Sequence, residues 1–341
     1  MKTYTMLFTF VIMSLPGSTH AAADPVRGLQ EAQEPPAAVK ALLEAAEAGE
    51  ARAQCSLATA YLLGRDLRQD YAEAAKWYRR AADQNDALAQ FNLGMMHYNG
   101  WGVPKDYAEA LRWYRKSADQ GNPAAQNNVG AMCANGRGIK QDYAEAVLWY
   151  RKAADQGFSD AQFNLGVMYY NGRGVKQDYS EAVQWYKSAA GQDHADAQYN
   201  LGLMYSGGKG VPQDNAEAAK WFGKVADQGD AEAQYDLGEL YSSGKGIAQD
   251  FAEAARWYRK AANQGNAAAQ LATGRIFADG KGVTRDYVQA YVWLSLAASG
   301  SKGKKRDEAT TLRDSVAKKL TAGQKAEAQR LAKEWKPENP K

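Results

Sequence analysis

Histidine and cysteine are nearly missing from this chain, with three and two among 341 residues. So few ligands leave no material for a histidine-rich metal centre, a zinc ribbon, a haem site or a disulfide-knit mini-protein. Proline is scarce as well, at nine residues, while 45% of the chain is hydrophobic and 24% charged. That balance excludes a collagen-like or disordered chain. Charge of neither sign prevails, and a net +3 calls for no polyelectrolyte partner such as nucleic acid. No stretch of 18 apolar residues occurs, which leaves out a membrane-spanning helix. What is abundant is tyrosine and tryptophan, 20 and 9 against 8 phenylalanines, a bias that suggests a periodic packing motif.

Residues 1–23 read as a secretory signal peptide. Met1-Lys2 supplies a positive start, Met6 to Leu15 an apolar run of ten, Pro16-Gly17 a break, and Ala21, Ala22 and Ala23 a small-residue cleavage site. Ten residues at about 1.5 Å each fall well short of the roughly 30 Å of a bilayer core. No cysteine lies at the cleavage point to carry a lipid anchor. The expectation is a protein exported to the periplasm or beyond the cell, soluble after cleavage. Residues 24–36 read as a disordered linker.

The rest is one unit copied seven times. Trp77, Trp113, Trp149, Trp185, Trp221, Trp257 and Trp293 are spaced by 36 residues without an insertion. Asp70, Asp106, Asp142, Asp178, Asp214, Asp250 and Asp286 keep the same spacing, as do the Ala-Gln pairs beginning at Ala53 and ending at Ala269. A fixed period of this length marks a solenoid or array. The units are placed at 50–85, 86–121, 122–157, 158–193, 194–229, 230–265 and 266–301.

Each unit reads as two helices. In residues 86–121, helix A carries Ala89, Leu93, Gly94 and His97 at helical spacing. Gly100-Trp101-Gly102-Val103-Pro104 makes a turn, and helix B carries Ala110, Trp113, Tyr114 and Ala118 on one stripe. The helix ends at Gly121, where a left-handed residue is expected. The same position holds Gly49, Asn85, Gly157, Asp193, Gly229 and Gly265, glycine or the residues that best tolerate that conformation.

The run A-Q-x-N-L-G-x-M-Y…G-x-G-V-x-x-D-Y-x-E-A-x-x-W-Y-x-x-A-A resembles the Sel1-like repeat, an offshoot of the tetratricopeptide class, over about residues 50–301. The resemblance implies an all-α, right-handed α-solenoid (a superhelix of seven helix-turn-helix units) and a role as an adaptor in protein complexes. Residues 37–49 align with a lone helix B and read as an N-terminal capping helix. Residues 302–341 read as a C-terminal helical cap and tail, with helices near 304–320 and 322–335, a capping signal at Thr321 to Gln324, Trp335 folding back, and frayed ends at 337–341. This segment carries a net +6 against −4 for residues 24–301, a solvated basic face or a steering patch.

Most chemical-looking motifs are periodic. Asp106 and Glu109, recurring through Asp250 and Glu253, read as capping boxes, since one active site needs no six copies. Gly136-Arg137-Gly138 lacks the strand and third glycine of a dinucleotide fingerprint and reads as a turn. The residues between such glycines, Arg137, Arg173, Lys209, Lys245 and Lys281, form a basic edge, either solvated or attractive to acidic partners or polysaccharide. His97 stands where other units carry an aromatic and reads as core. Cys55 and Cys133 fall two units apart, on the order of 20 Å, too far for a disulfide. The chain also lacks the paired cysteines of the cysteine-rich relatives to which weak β-lactam activity attaches. No catalytic residue, cofactor or metal is expected, because no acid, glycine or asparagine breaks the repeat symmetry.

A second stripe of helix A holds Phe91, Met95 and Tyr98, then Phe163, Val167 and Tyr170, then Tyr199, Leu203 and Tyr235. The resemblance implies that these positions line a concave groove for a protein or peptide, although packing between neighbouring units fits them equally. Asn92, Asn128, Asn164 and Asn200 form a polar ladder beside them, placed to bond an extended backbone or to tie units together. The expected function is an exported, non-enzymatic scaffold. The alternatives are a secreted hydrolase of cell-wall or β-lactam substrates and a passive spacer in an envelope assembly.

Overall fold

The computed structural model describes residues 37–338, which contain 17 helices and no strand. The expected signal peptide and linker therefore lie outside the described residues, as do positions 339–341. The chain forms two compact units, one running to Ala189 and the other starting at Ala190. The first unit holds a cap helix, Ala37–Glu47, and the A and B helices Ala51–Leu63 and Tyr71–Asp83, Ala87–Asn99 and Tyr107–Asp119, Pro123–Asn135 and Tyr143–Asp155, and Ser159–Asn171 and Tyr179–Ala190. The second holds Ala195–Gly207 and Asn215–Asp227, Ala231–Ser243 and Phe251–Asn263, Ala267–Asp279 and Tyr287–Gly300, then Lys304–Ala317 and Ala322–Glu334. The fold class is an all-α repeat solenoid.

Local chemistry sets the helix ends. Asp106 Oδ1 accepts from the N–H groups of Ala108 and Glu109 at 2.9 and 3.0 Å, satisfying first-turn donors that have no helical partner. Helix A stops at Gly100, which takes φ 78°, and the turn between units stops at Gly121, φ 91°. Asn85 and Asp193 adopt φ 69° and 60° at that same repeat position. The Asp-x-x-Glu motif is only half of the expected capping box. The backbone N–H of Asp106 donates instead to the His97 carbonyl at 2.9 Å, so Glu109 has no orphan donor to return to. Its carboxylate turns outward and accepts from Trp113 Nε1 at 2.7 Å and from Arg112 at 2.6 Å.

Each pair of helices closes on a glycine. Tyr114 of helix B lies against Gly94 of helix A so tightly that a Cβ there would stand 2.7 Å from the ring. Gly130 and Tyr150, Gly166 and Tyr186, and Gly238 and Tyr258 repeat the contact, with Phe222 over Gly202 and Leu294 over Gly274. Tyr78, Tyr114 and Tyr150 are almost completely buried as a result, each burying apolar area that stabilises the fold by roughly 2–3 kcal/mol.

The Ala-Gln pair ties one unit to the next. Gln90 Nε2 donates to the Ala82 carbonyl at the end of the preceding helix B, at 3.1 Å, while Gln120 Nε2 donates to Gln90 Oε1 at 2.7 Å. Gln126 and Gln156 repeat this in the first unit, and Gln234 and Gln264 in the second. The motif is thus a buried staple that satisfies helix-end carbonyls.

At the C-terminus, Thr321 and Gln324 cap each other's backbone groups. Trp335 packs edge-on against Trp293, ring centroids 6.3 Å apart. The expected fraying at 337–341 does not hold at Glu338. Its N–H donates to the Asn263 carbonyl at 2.8 Å, and its carboxylate accepts from Asn263 Nδ2 at 2.9 Å.

Candidate partner-binding surface

The first members of the aromatic stripe point inward. Phe91 and Phe163 are buried and sit 5.7 and 5.8 Å, centroid to centroid, from Tyr114 and Tyr186 of their own helix B. Tyr199 and Tyr235, half-buried, make the same contact with Phe222 and Tyr258. Met95 is also core. For Phe91, Phe163 and Met95 the groove expectation is therefore corrected. An aromatic three residues before the helix A glycine lies on the same helix face, and it closes over the helix B ring that the glycine admits.

The surface-reaching members are Tyr98, Val167, Tyr170, Tyr199, Tyr235 and Leu203. All are half-buried except Leu203, which is exposed. Tyr98 and Tyr170 pair with Tyr107 and Tyr179 at centroid separations of 5.0 and 5.2 Å. Leu88, one turn before Asn92 on helix A, is 44% exposed and belongs with this group. The periodicity did not flag it, because the equivalent positions carry Ala124, Asp160, Asp196, Glu232 and Ala268.

The asparagines do not present a continuous row. Asn92, Asn128 and Asn164 are buried. Asn164 Nδ2 donates to Asn127 Oδ1 at 2.9 Å, tying two successive units. Asn200 Nδ2 bonds back to the Asp196 carbonyl at 2.8 Å. Asn128 lies beside the Tyr114 hydroxyl at a geometry short of a hydrogen bond, and both its amide nitrogen and oxygen go unmatched.

The basic edge is built on aromatic rings. Arg137 lies over Tyr107, 5.8 Å from the centroid, Arg173 over Tyr143 at 5.3 Å, and Lys281 over Phe251 at 5.9 Å. Each ring opens helix B of the preceding unit. In the second unit Trp101 replaces the cation and stacks on Tyr71 at 5.9 Å. Lys245 is exposed, and position 215, thirty residues before it, is Asn instead of an aromatic. Lys209 is half-buried.

The second compact unit breaks the repeat symmetry, contrary to the expectation. Asp236 stands where earlier repeats carry asparagine, and it accepts from Tyr199 Oη at 2.7 Å. Glu239 stands where they carry Met95, Ala131, Val167 and Leu203, and it accepts from the Tyr258 hydroxyl. Burial, then the Glu239 hydrogen bond, pushes the Tyr258 phenol well above its ordinary range. Burial, followed by the charge of Glu239, does the same to Tyr235. Both phenols stay protonated and act as hydrogen-bonding groups, not nucleophiles. Among the described residues no group of three or more His, Cys, Asp or Glu is placed to hold a metal ion. No helix among them is long and apolar enough to cross a membrane.

The outer face of the first unit carries a charged network. Arg79 reaches Glu109 at 3.5 Å and Arg115 reaches Glu145 at 2.5 Å, each across consecutive repeats. Arg79 Nη2 also bonds His97 Nε2 at 3.2 Å, and burial, then the Arg79 charge, holds the imidazole below its usual pKa. His97 is therefore a buried, neutral member of this network. His194 caps the helix Ala195–Gly207, accepting from the Ala197 N–H at 3.3 Å. Cys55 and Cys133 are both free and buried.

Comparison with known proteins agrees with this architecture. The model of the Sel1 repeat matches residues 51–86, 87–122, 123–158, 159–194, 195–230, 231–266 and 267–301. A Sel1 repeat protein from Oxalobacter formigenes is 40% identical, with 80% of this chain and 79% of that one covered at a TM-score of 0.65. A protective antigen of uropathogenic Escherichia coli strains displaying an SLR fold is 29% identical, with 87% and 86% covered at a TM-score of 0.51. No functionally curated protein is significantly similar to the chain. With the family repeat matched seven times over residues 51–301, the chain belongs to the Sel1 repeat family.

Proposed function

We propose that this protein is an exported, non-enzymatic adaptor that binds a protein or peptide partner on the helix A surface. One observation carries the reading. Leu88 and Leu203 are exposed, and Val167 and Tyr170 stay partly open on helices whose other apolar residues are buried. Apolar side chains that the repeat does not need for its own core are what a partner would cover. Sel1 repeats generally serve protein–protein contacts, and a prebuilt repeat surface loses little entropy on binding. The tyrosines of the one symmetry-breaking cluster are protonated hydrogen-bonding groups, which favours binding over hydrolysis.

The test is a crosslinking pull-down from envelope extract. The bait is residues 24–341, compared with a Leu88→Arg, Val167→Arg and Leu203→Arg variant that leaves the buried Phe91 and Phe163 intact. Circular dichroism checks that the variant is folded. Loss of a captured partner by the folded variant supports the surface, and unchanged capture removes it. Export is tested separately by fractionation of cells producing the tagged full-length chain. The mature form is expected to begin at Asp24.

A further inference from the structure

The second compact unit carries a basic pocket of about 430 Å³ where the C-terminal tail ends. Arg256, Arg259, Lys260, Asn263 and Gln264 line it together with Glu338 of the tail. Two departures from the repeat make it basic. Position 263 is asparagine, where Asp83, Asp119, Asp155 and Asp227 stand in other repeats. Position 289 is glutamine, where every earlier repeat has glutamate. That glutamate receives the ion pairs of Arg79 and Arg115 in the first unit. Arg259 occupies the same repeat position as those two arginines but faces no such carboxylate, and it is exposed.

The tail shows how the pocket reads a chain. Asn263 accepts the main-chain N–H of Glu338 at 2.8 Å and donates to its carboxylate at 2.9 Å. One acidic residue is thus held at two points. An aspartate at 263 would put two carboxylates together there, so the exchange of Asp for Asn is what lets an acid dock. Trp335, three residues earlier, anchors the segment on Trp293. The tail fills only part of the available charge. Glu338 makes no ion pair to Arg259 or Lys260, and the chain continues as Asn339-Pro340-Lys341 without another acid.

We propose that this pocket is a docking site for an extended acidic peptide of a partner protein, and that the C-terminal tail occupies it in cis through Glu338. A partner peptide with two or more consecutive acids pairs with Arg259 and Lys260, which the tail leaves unused, and so displaces the tail. This site is separate from the helix A surface proposed above.

Fluorescence anisotropy with a labelled WKPEEE peptide tests the idea on three folded chains: the parent, a full-length Glu338→Lys variant, and a chain ending at Pro337. A tethered tail competes at an effective concentration on the order of millimolar, so both altered chains should bind the peptide at least about tenfold more tightly than the parent. Adding Arg259→Glu to Glu338→Lys should abolish that gain, and a WKPKKK peptide should bind none of the chains. Equal binding to the parent and the Glu338→Lys chain overturns cis occupancy. Equal binding of the two peptides, or indifference to Arg259→Glu, overturns the acidic specificity. Should the shortened chain lose helix content, the full-length Glu338→Lys variant decides alone. The Val167→Arg and Leu203→Arg substitutions should leave this binding unchanged, so that failure here and failure of the helix A surface can be told apart.

Discussion

Gly102 lies directly on Tyr71: a Cβ on the glycine would stand 2.1 Å from the Tyr71 carbonyl oxygen. Gly138 meets Tyr107, Gly174 meets Tyr143 and Gly282 meets Phe251 in the same way, at 2.4, 2.2 and 2.2 Å. The second glycine of each G-x-G turn therefore has two duties. It takes a positive φ, and it lets the turn rest on the first residue of the preceding helix B. That contact also sets the intervening residue over the aromatic ring. The prediction is a split between glycines. Gly138→Ala should cost about 2–4 kcal/mol, combining left-handed strain with a backbone overlap that cannot relax. Gly121→Ala, at φ 91° with open space around it, should cost about 1 kcal/mol. Urea denaturation of the two variants measures both costs, and equal values would refute the close-approach argument.

Buried amides divide in a similar way. Gln126 is satisfied on both sides, donating to the Ala118 carbonyl and accepting from Gln156. Replacing it with Ala orphans a carbonyl and a second amide and opens a small void. The expected loss is about 2–4 kcal/mol. Asn128 is as deeply buried but its amide is unmatched. Asn128→Leu removes that unmet polar group at nearly equal volume, so stability should hold within about 1 kcal/mol or rise. Thermal melts of the two variants against the parent give the comparison. A loss at Asn128 as large as that at Gln126 would mean its amide is bonded after all.

These amides also mark how far the sequence could be read. The 36-residue period, the two helices per unit, and the left-handed positions at Asn85 and Asp193 were legible, because each rests on residues close together in the chain. The Gln90 staple was visible as a recurrence but not as a role. Its partners, the Ala82 carbonyl and Gln120, are set by how one unit stacks on the next. Glu109 was misread for the same reason, since Arg79 lies thirty residues earlier and the Asp106 N–H had already found the His97 carbonyl. Phe91 was ambiguous, because one helical stripe fits both a groove and a core. Only the position of Tyr114 decides between them. Asp236 and Glu239 stood in plain view as departures from the repeat. Their pairing with Tyr199 and Tyr258 requires the folded chain.

His97 should make stability depend on pH. Burial and Arg79 lower its pKa in the folded state, so the unfolded chain binds a proton first as pH falls. The favourable contribution of the neutral ring is complete above the unfolded value near 6.5 and is lost as pH drops through the folded value. In that window the slope from one such group is at most about 1.4 kcal/mol per pH unit. His97→Tyr restores the residue found at Tyr61, Tyr169, Tyr205 and Tyr241, and it removes the titration. Melting temperatures from pH 8 to pH 5 should fall less steeply for the variant than for the parent. Parallel curves would show that the imidazole does not titrate differently on folding.

The two thiols make the last prediction, which bears on the proposed export. An oxidising compartment favours pairing or modification of accessible cysteines, and this chain has two that are free. Burial, then the nearby Asp86 carboxylate, pushes Cys55 up to about 12. Burial, then Glu145, pushes Cys133 up to about 11. The reactive species is the thiolate, so at pH 8 both should be inert by protonation as well as by access. Ellman's reagent should therefore detect less than about 0.1 thiol per native chain within an hour and two per chain in concentrated urea. Fast native labelling would show that one thiol is reached by local opening. Labelling of Cys133→Ser would then identify the site, and would place the loosest packing in the helix pair that remains.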